Sequence, residues 1–311
     1  MTQQPPKIIV LGGINMDLVT FSPRFPRPGE TVVGSRFLTY TGGKGANQSV
    51  VAARMGAKSA MVGRVGGDIF GPQLLDGLAA AGVDISGVGV NPDESSGIAV
   101  ISVDETAQNS ITQILGANDT CGPHQAAAVK LALPGAAALL LQLEVSIELS
   151  LEVAREARDQ GVFVMLDPGP VRPVPVELLR LCSVITPNET EAQAMVNFPV
   201  TGPESAAKAA DALLEMGVGT AVIKLGSQGA YFASRNSRGM ILPFEVDAVD
   251  SVAAGDAFNG ALAVSLAEGR ALEEAVTIAC AAGALAVTRT GAQDSMPKRS
   301  LVEELLRNQR P

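Results

Sequence analysis

The sequence predicts an α/β protein in which a mostly parallel sheet is covered by helices on both faces. Short apolar runs alternate with longer helical patterns over most of the 311 residues. Strands separated by helices run parallel, because each crossover returns the chain in the same direction. Their near-continuous apolar character is typical of a sheet buried on both faces. Two segments alternate apolar and polar residues instead, which predicts a small second sheet of half-buried antiparallel strands.

The strands and helices of the main body follow from this alternation. The predicted strands are Lys7–Leu11, Ala60–Val65, Ala138–Leu143, Phe163–Leu166, Val184–Thr186 and Thr220–Leu225. Helices are predicted near Ala46–Met55, Phe70–Ala81, Leu149–Gln160, Glu204–Met216 and Lys298–Asn308. A chain of this length could form two domains of about 150 residues, but single α/β units often exceed that length. We expect one domain over residues 1–311.

The two alternating segments are Leu18–Phe37, which is rich in proline, and Gly97–Leu115. We expect them to pair into a small sheet beside the main body, over about residues 15–41 and 95–115. Ligands of open α/β folds bind at the strand ends, under loops and lids. The small sheet is therefore expected to act as a lid.

Charge and composition exclude several classes of function. The chain has 23 Lys and Arg against 32 Asp and Glu, a net charge of −9 with a pI near 4.8, whereas phosphate backbones are bound through clustered basic residues. We expect neither a nucleic acid nor an anionic membrane as a partner. One histidine and three cysteines without a CxxC pair supply no His/Cys zinc site and no disulfide framework. Acid–base chemistry therefore falls to carboxylates.

The chain also lacks the signals of a membrane or exported protein. Its longest uncharged apolar stretch, Ala275–Val287, has 13 residues, fewer than the roughly 18 of a membrane span. The first six residues contain no basic region and no apolar signal core. A cytoplasmic location is expected.

The segment Asp250–Gly260 predicts an anion site. It is expected to end a strand and open an alanine-rich helix, whose small residues leave the first amides free for a phosphate. These are the amides of Ala253, Ala254, Gly255 and Asp256. The helix dipole favours the ionised form of Asp256, which suits a general base. An ordinary helix start explains the same residues about equally well.

A glycine-rich turn, Gly42-Gly43-Lys44-Gly45-Ala46-Asn47, enters the first predicted helix. Glycine allows positive φ and a close approach of the backbone to a ligand, while Lys44 and Asn47 offer donors suited to hydroxyl groups. The turn is not a phosphate-binding Walker A loop, because Lys44 is followed by glycine rather than Ser or Thr. Taken alone, it is more typical of a turn with a helix cap.

Three polar residues are expected at the carboxyl edge of the sheet. Asn15 and Asp17 follow the first strand and point to one side if the chain stays extended, and Glu144 follows the strand that begins at Ala138. Together with Lys44, Asn47 and Asp256 they would match a polyhydroxylated molecule, because each hydroxyl both donates and accepts. Taken alone, Asn15 and Asp17 are more typical of a solvated turn.

Two further segments have a structural and a functional interpretation. Asn188 and Glu191 form the pattern of a capping box, and Glu191 could also hold a solvated Mg²⁺ through water. Lys224–Gly229 predicts a turn that could border a nucleotide. The GxGxxG fingerprint of dinucleotide-binding proteins is missing from the chain, which disfavours a nicotinamide-dependent oxidoreductase.

The motifs at Gly42–Gln48 and Asp250–Gly260 resemble those of the PfkB, or ribokinase-like, family of carbohydrate kinases. The resemblance runs from about Lys7 to Pro297 and includes Leu141–Glu144, Asn188–Glu191 and Arg289–Gln293 in the same order. It implies a three-layer fold with a β-sheet lid, ATP and Mg²⁺ as cofactors, activation by K⁺, and a homodimer formed through the lid. The reaction implied is transfer of the γ-phosphate of ATP to the primary hydroxyl of a pentose, with D-ribose as the first candidate.

The resemblance also implies roles for individual positions. The sugar would be held by Asn15, Asp17, Gly42, Gly43, Lys44, Asn47, Glu144 and Asp256. Asp256 would be the base, and Ala253, Ala254 and Gly255 the anion hole. The nucleotide positions would be Asn188, Lys224, Gly226, Ser227, Gly229, Gly255 and Cys280. K⁺ would lie among Asp250, Val252, Ala286, Arg289, Gly291 and Ser295, and Glu191 would bind Mg²⁺ through water.

The chain departs from the family pattern at several points. Cys280 stands where histidine is common beside the adenine, and Asp167-Pro168-Gly169-Pro170 stands where an Asn-Pro-Ala-Pro string is frequent. Ser251 and Ala257 replace threonines. The alternatives are another acceptor, such as deoxyribose, a nucleoside or a fructose-type sugar, and a sugar-binding regulator without catalysis.

Overall fold

The computed structural model describes residues 4–106 and 108–309. The strands are, in chain order, β1 (Lys7–Leu11), β2 (Asn15–Phe21), β3 (Arg36–Gly42), β4 (Lys58–Gly66), β5 (Asp84–Asn91), β6 (Gly97–Val103), β7 (Asn109–Ile114), β8 (Ala138–Gln142), β9 (Phe163–Asp167), β10 (Val184–Ile185), β11 (Thr220–Lys224), β12 (Ala230–Ser234) and β13 (Arg238–Ile241). The α-helices are α1 (Lys44–Arg54), α2 (Phe70–Ala80), α3 (Pro123–Ala132), α4 (Ile147–Asp159), α5 (Val176–Leu181), α6 (Glu189–Val196), α7 (Pro203–Glu215), α8 (Ala254–Ala267), α9 (Leu272–Ala286) and α10 (Arg299–Asn308).

The main sheet of the described residues has nine strands in the spatial order β13-β12-β11-β10-β9-β8-β1-β4-β5. Neighbours run parallel from β11 through to β5, and β12 and β13 are added antiparallel at one edge. The prediction of a mostly parallel sheet is confirmed. Because the strands are parallel, the carboxyl ends of β1, β8, β9 and β11 all open at the same edge.

Helices cover both faces of the main sheet, as β1 illustrates. Ile8 and Val10 pack in a core with side chains of α1, α8 and α9, whereas Ile9 and Leu11 pack in a second core with those of α3, α4 and α7. Alternate side chains of a strand point to opposite faces, so an unbroken apolar run feeds both cores. Burial of each such side chain stabilises the fold by about 1.5–3 kcal/mol.

The second sheet has the order β3-β2-β6-β7 and confirms the prediction of a small sheet from the two alternating segments. Its two hairpins are antiparallel as predicted, but the pair β2–β6 that joins the two segments is parallel. Val19, Ala99 and Ile101 form its own small buried cluster. The first of its strands in the chain, β2, begins at Asn15, at the start expected for the lid and before the alternating segment Leu18–Phe37. Asn15 and Asp17 therefore belong to the small sheet, where their two-residue spacing places them on the same face.

Some elements differ from the prediction. The strand β5, which contains Gly87 and Gly89, and the short hairpin β12–β13 were not predicted. The prediction of a strand that ends at Asp250 is wrong. The strand β13 ends at Ile241, and the chain from there to Asp250 has no regular secondary structure. Pro243 lacks an amide donor for a sheet ladder, and the amides of Val249 and Asp250 donate to Val287 O instead.

Helix length and polarity in the described residues do not allow any helix to cross a membrane.

Candidate active site

A cleft of about 630 Å³ separates the carboxyl edge of the main sheet from the small sheet. The predicted site residues that line it are Asn15, Asp17, Gly43, Lys44, Asn47, Glu144, Asn188, Lys224, Gly226, Val252, Ala253, Gly255 and Asp256. They come from six separate stretches of chain between β2 and α8. Gly42 lies directly against Asp17, because a Cβ atom added to it would overlap the carboxylate.

The glycine turn enters α1 through a conformation that requires glycine. Gly43 has a φ of 90°, and a Cβ atom there would come within 2.6 Å of Gly13 O and 2.7 Å of Asn15 N. The next amide, Lys44 N, donates to Glu144 Oε2 at 2.7 Å. The turn is therefore fixed against both the end of β1 and the end of β8.

The carboxylate of Glu144 accepts hydrogen bonds from three donors. Its Oε1 accepts from Asn15 Nδ2 at 3.2 Å and from Gln113 Nε2 at 2.5 Å, and its Oε2 accepts from Lys44 N. Burial raises the pKa of Glu144 against the lowering effect of Lys44. Because Asn15 and Gln113 belong to the small sheet, this carboxylate joins the two sheets across the cleft.

Asp17 faces the same cleft from β2. Its carboxylate is buried, and burial, with the nearby charges of Glu144 and Asp256, raises its pKa to about 7. A carboxyl group with this pKa is partly protonated at neutral pH. It can therefore donate a hydrogen bond to a ligand as well as accept one.

Asp256 lies in the first turn of α8 and is held by two amide side chains. Asn47 Nδ2 donates to its Oδ2 at 2.8 Å, and Gln48 Nε2 donates to its Oδ1 at 3.1 Å. Burial raises the pKa of Asp256 although Lys44 and both donors lower it. The helix position alone led us to expect the ionised form to be favoured, but burial outweighs that effect and makes the carboxylate a stronger base.

The amides that open α8 are only partly free. Asp256 N donates to Ala253 O at 3.0 Å, and Ala254 N lies 3.4 Å from Ser251 O. Among the described residues, the amides of Ala253 and Gly255 have no protein acceptor. The sequence predicted four bare amides, whereas two are fully bare. Ala253 has a φ of 59°, a left-handed conformation that is uncommon for alanine.

Behind Asp256 lies a polar network that the sequence analysis missed. The carboxylate of Asp167 is buried and accepts from Lys44 Nζ at 3.1 Å, Lys224 Nζ at 3.0 Å and Gln48 Nε2 at 3.1 Å. Burial would raise the pKa of Asp167, but the two ammonium groups hold it below its ordinary value. Gln142 Nε2 donates to Gln48 Oε1 at 2.7 Å. Gln48 therefore connects Asp167 to Asp256.

The missed residues carried weak local signals. Gln142 and Asp167 are polar residues that end buried strands at the site edge, and Gln48 stands inside the glycine motif. Gln113 is a polar residue on the strand β7 of the small sheet. Polar residues at strand ends could have been added to the candidates, but their mutual contacts depend on the tertiary fold.

Only some of the predicted nucleotide-binding residues line the cleft. Asn188, Lys224 and Gly226 line the cleft, whereas Ser227, Gly229 and Cys280 are not among its lining residues. Gly229 has a φ of 94° and packs so closely against Ile241 O that a Cβ atom would overlap it. The positive φ and the packing against Ile241 therefore explain why this position is glycine.

The capping box at the start of α6 is confirmed. Asn188 Oδ1 accepts from Glu191 N and Glu191 Oε2 accepts from Asn188 N, both at 2.8 Å. Glu191 also lies against Gly169, and burial raises its pKa. No group of three or more acidic, histidine or cysteine residues in the described chain is arranged to hold a metal ion directly. The buried carboxylate of Glu191 fits a metal bound through water, although Glu191 is not among the residues that line the cleft.

The segments predicted to hold K⁺ lie beside each other. Asp250 Oδ1 accepts from Val252 N and Asp250 Oδ2 accepts from Gly291 N, both at 3.0 Å. Ser295 is buried and its hydroxyl donates to Ala292 O. Asp250 therefore joins the loop before α8 to the loop after α9. Arg289 lies in that loop, and Ala286 is the last residue of α9.

Comparisons with known proteins agree with this fold. The model of the pfkB family carbohydrate kinases matches residues 5–299. A ribokinase of Bacillus subtilis is 39% identical over 96% of this chain and 99% of its own, and a deoxyribokinase of Salmonella typhimurium is 33% identical over 96% and 98%. The structure of Arabidopsis thaliana ribokinase complexed with ribose and ATP superposes with a TM-score of 0.87 at 33% identity, over 97% of this chain and 99% of the other. The chain therefore belongs to the PfkB family of carbohydrate kinases.

Proposed function

We propose that this protein transfers the γ-phosphate of ATP to the primary hydroxyl of a pentose, with D-ribose as the acceptor and ribose 5-phosphate as the product. The observation that carries the proposal is the position of Asp256. Its buried carboxylate lies between a bare-amide helix start and a cradle of polar side chains. The ribokinase relatives and the ribose and ATP complex of a neighbouring structure support the choice of acceptor.

The sugar is held, in this proposal, by Asn15, Asp17, Asn47, Glu144 and the backbone at Gly42–Lys44. Asn47 Oδ1 is buried and has no hydrogen-bond partner in the described chain, which leaves it to accept from a sugar hydroxyl. Glu144 has oxygens for about four hydrogen bonds and uses three. The cleft therefore retains acceptors for a ligand that is rich in hydroxyl groups.

The chemical step uses few protein groups. Asp256 accepts the proton of the primary hydroxyl as the sugar oxygen forms its bond to the γ-phosphorus. The bond from that phosphorus to the β,γ-bridging oxygen breaks, and ADP leaves with its electron pair. The amides of Ala253 and Gly255, with Ala254 beside them, donate to the phosphoryl oxygens, so that positioning and electrostatics lower the barrier.

Mg²⁺ would be held through water by Glu191, a buried carboxylate at the start of α6 that lies against Gly169. When bound with the nucleotide, it would neutralise phosphate charge. K⁺ would lie between the two loops joined by Asp250, among Val252, Ala286, Arg289, Gly291 and Ser295, and would support the helix start from behind. Asn188, Lys224, Gly226, Ser227, Gly229 and Cys280 would border the nucleotide.

We propose that one domain carries this activity, with the small sheet as its lid. Phe37, Val100, Ile111 and Ile114 of that sheet leave much of their apolar surface exposed, which supports a homodimer formed through the lid. Light scattering should give twice the monomer mass of 31.9 kDa. A cytoplasmic location, with its supply of ATP, remains our expectation, and all three cysteines are free thiols.

The direct test is ADP release with ATP and Mg²⁺ across a panel of ribose, 2-deoxyribose, fructose and nucleosides, with the product identified by NMR. We expect the highest kcat/KM with ribose and phosphorylation at its primary hydroxyl. A highest kcat/KM with 2-deoxyribose would favour the second candidate, to which the deoxyribokinase relative points. Thermal stabilisation by a sugar without any ADP release would identify a sugar-binding regulator and overturn the proposal.

A further inference from the structure

Lys224 and Asp167 form a mostly buried ion pair at the carboxyl edge of the main sheet. Lys224 ends β11 and Asp167 ends β9, and Lys224 Nζ donates to Asp167 Oδ1 at 3.0 Å. The side chain of Lys224 is 12% exposed and that of Asp167 is 1% exposed. The short strand β10 lies between their two strands, so the pair spans its end, beside the start of α6.

The ammonium group of Lys224 lies next to the amides that open α8. A Cβ atom placed on Gly255 would come within 3.3 Å of Lys224 Nζ. The amide of Gly255 has no acceptor in the described chain. A cation and a bare amide are therefore neighbours at the place where, in the proposed function on which this inference rests, the phosphoryl group passes.

The charges around Asp167 leave room for an anion. Lys44 and Lys224 share the single carboxylate of Asp167, so the three side chains carry a net charge of +1. An ammonium group has three donors, and within the described chain each lysine uses one of them, on Asp167. Both lysines line the cleft. Their remaining donors suit a ligand with several anionic oxygens.

A cation is also needed at this place. The carboxylate of Asp256 lines the same cleft, and that of Glu191 lies near Lys44 and Lys224. Both repel an incoming phosphoryl group. Hydrogen bonds to charged groups in a site shielded from water are strong, and preorganised donors need no rearrangement during the reaction. Asp167 supplies that preorganisation, because it holds the Lys224 ammonium at the strand end.

We propose that Lys224 is a further catalytic residue, whose ammonium group donates to the oxygens of the transferred phosphoryl group in the transition state. Asp167 is the positioning residue that aims it. The lysine keeps its proton throughout. The proton of the sugar hydroxyl still goes to Asp256, and ADP still leaves with the electron pair of the broken bond. The competing explanation is that Lys224 only neutralises the buried carboxylate of Asp167.

The test is a double-mutant cycle of Lys224→Met, Asp167→Asn and the two together, with kcat and the KM values for ATP and ribose. We expect Lys224→Met to lower kcat by about 10²–10³-fold, as for the loss of one transition-state donor, and to change the KM for ATP much less. The double variant should stay as slow as Lys224→Met, because the donor is missing from both. Recovery of the double variant to near the wild-type kcat would overturn the inference, since Lys224 would then only neutralise Asp167.

A binding measurement separates catalysis from folding. Thermal stabilisation by ADP, aluminium fluoride and ribose together should fall sharply in Lys224→Met, whereas stabilisation by ADP alone should be retained. Equal loss of both would mean that Lys224 binds the nucleotide only, and would overturn the inference. If Lys224→Met does not fold, the double variant, which leaves no unpaired carboxylate at residue 167, is measured in its place against Asp167→Asn alone.

Lys7→Met is the matched control. Lys7 is partly buried, as Lys224 is, but it begins β1 at the opposite edge of the sheet, where its Nζ donates to Ala132 O. Its kcat should equal that of the wild type. A wild-type protein that phosphorylates no acceptor would overturn the proposed function itself. An active wild type with an unaffected Lys224→Met variant would overturn this inference alone.

Discussion

Asn47 Nδ2 donates a hydrogen bond of 2.8 Å to Asp256 Oδ2, across a sequence separation of 209 residues. The bond joins the start of α1 to the start of α8, and so brings together the two motifs that carry the family resemblance. Asn47 keeps its Oδ1 without a partner in the described chain. One side chain therefore holds the proposed base and offers an acceptor to the proposed alcohol, which positions the two for proton transfer.

Replacement of Glu144 by glutamine should weaken sugar binding. The carboxylate accepts three donors on its two oxygens, so the NH₂ group of glutamine must face at least one of them. A hydrogen bond to a charged group contributes about 1.5–3 kcal/mol, and we expect the KM for ribose to rise about 10- to 100-fold. Isothermal titration with ribose measures the effect. Glu148→Gln, at an exposed position in the first turn of α4, is the control, and an unchanged affinity in Glu144→Gln would contradict this prediction.

Asp17 should make the stability of the protein depend on pH. Its pKa is about 7 in the folded protein and 3.8 as the ordinary value, so the folded state retains a proton that the unfolded chain has released. The contribution of Asp17 to the free energy of unfolding is therefore complete below pH 3.8 and is lost as the pH rises to about 7. Since asparagine does not ionise, the Tm of Asp17→Asn relative to wild type should increase over this window.

Thermal unfolding at several pH values checks the Asp17 prediction, with the exposed Asp93→Asn variant as control. The Tm difference between Asp17→Asn and wild type should grow from about pH 4 to pH 7 and then level off. The same difference at every pH would mean that Asp17 does not titrate in this range.

Gly43→Ala should destabilise the fold more than an equivalent change elsewhere. The positive φ alone costs roughly 1–2 kcal/mol for a residue with a Cβ atom, and here that atom would also overlap Gly13 O and Asn15 N. Overpacking adds about 1–3 kcal/mol. Gly135 has a φ of 73° with no atom within 4 Å of an added Cβ, so Gly135→Ala measures the φ effect alone. Equal free energies of unfolding for the two variants would contradict the packing argument.

Local sequence patterns predicted much of the fold because its central strands are apolar along their whole length. The runs at Ile8–Leu11 and Ala138–Leu141 are fully buried, and strands of this kind stand out from the surrounding helices. The strand β5 and the hairpin β12–β13 lie towards the two edges of the main sheet. They carry glycine or polar residues, and their pairing depends on a sheet that is already formed.

The site was predictable where one motif carried its own chemistry, as at Asp256 and the Gly42–Asn47 turn. Asp167 was noted only as a departure from the family pattern, and its partners Lys44 and Lys224 are 123 and 57 residues away. Gln113 meets Glu144 only because the small sheet folds over the edge of the main sheet. Such contacts are set by topology, which local patterns do not encode.

The most direct measurement is the kcat of Asp256→Asn with saturating ribose, ATP and Mg²⁺. Asparagine keeps the shape of the side chain but accepts no proton, so kcat should fall about 10²–10⁴-fold. Because burial raises the pKa of Asp256, the neutral variant should retain its Tm, and the exposed Asp76→Asn variant should keep full activity. A folded Asp256→Asn protein with a kcat near that of the wild type would contradict the assignment of Asp256 as the base.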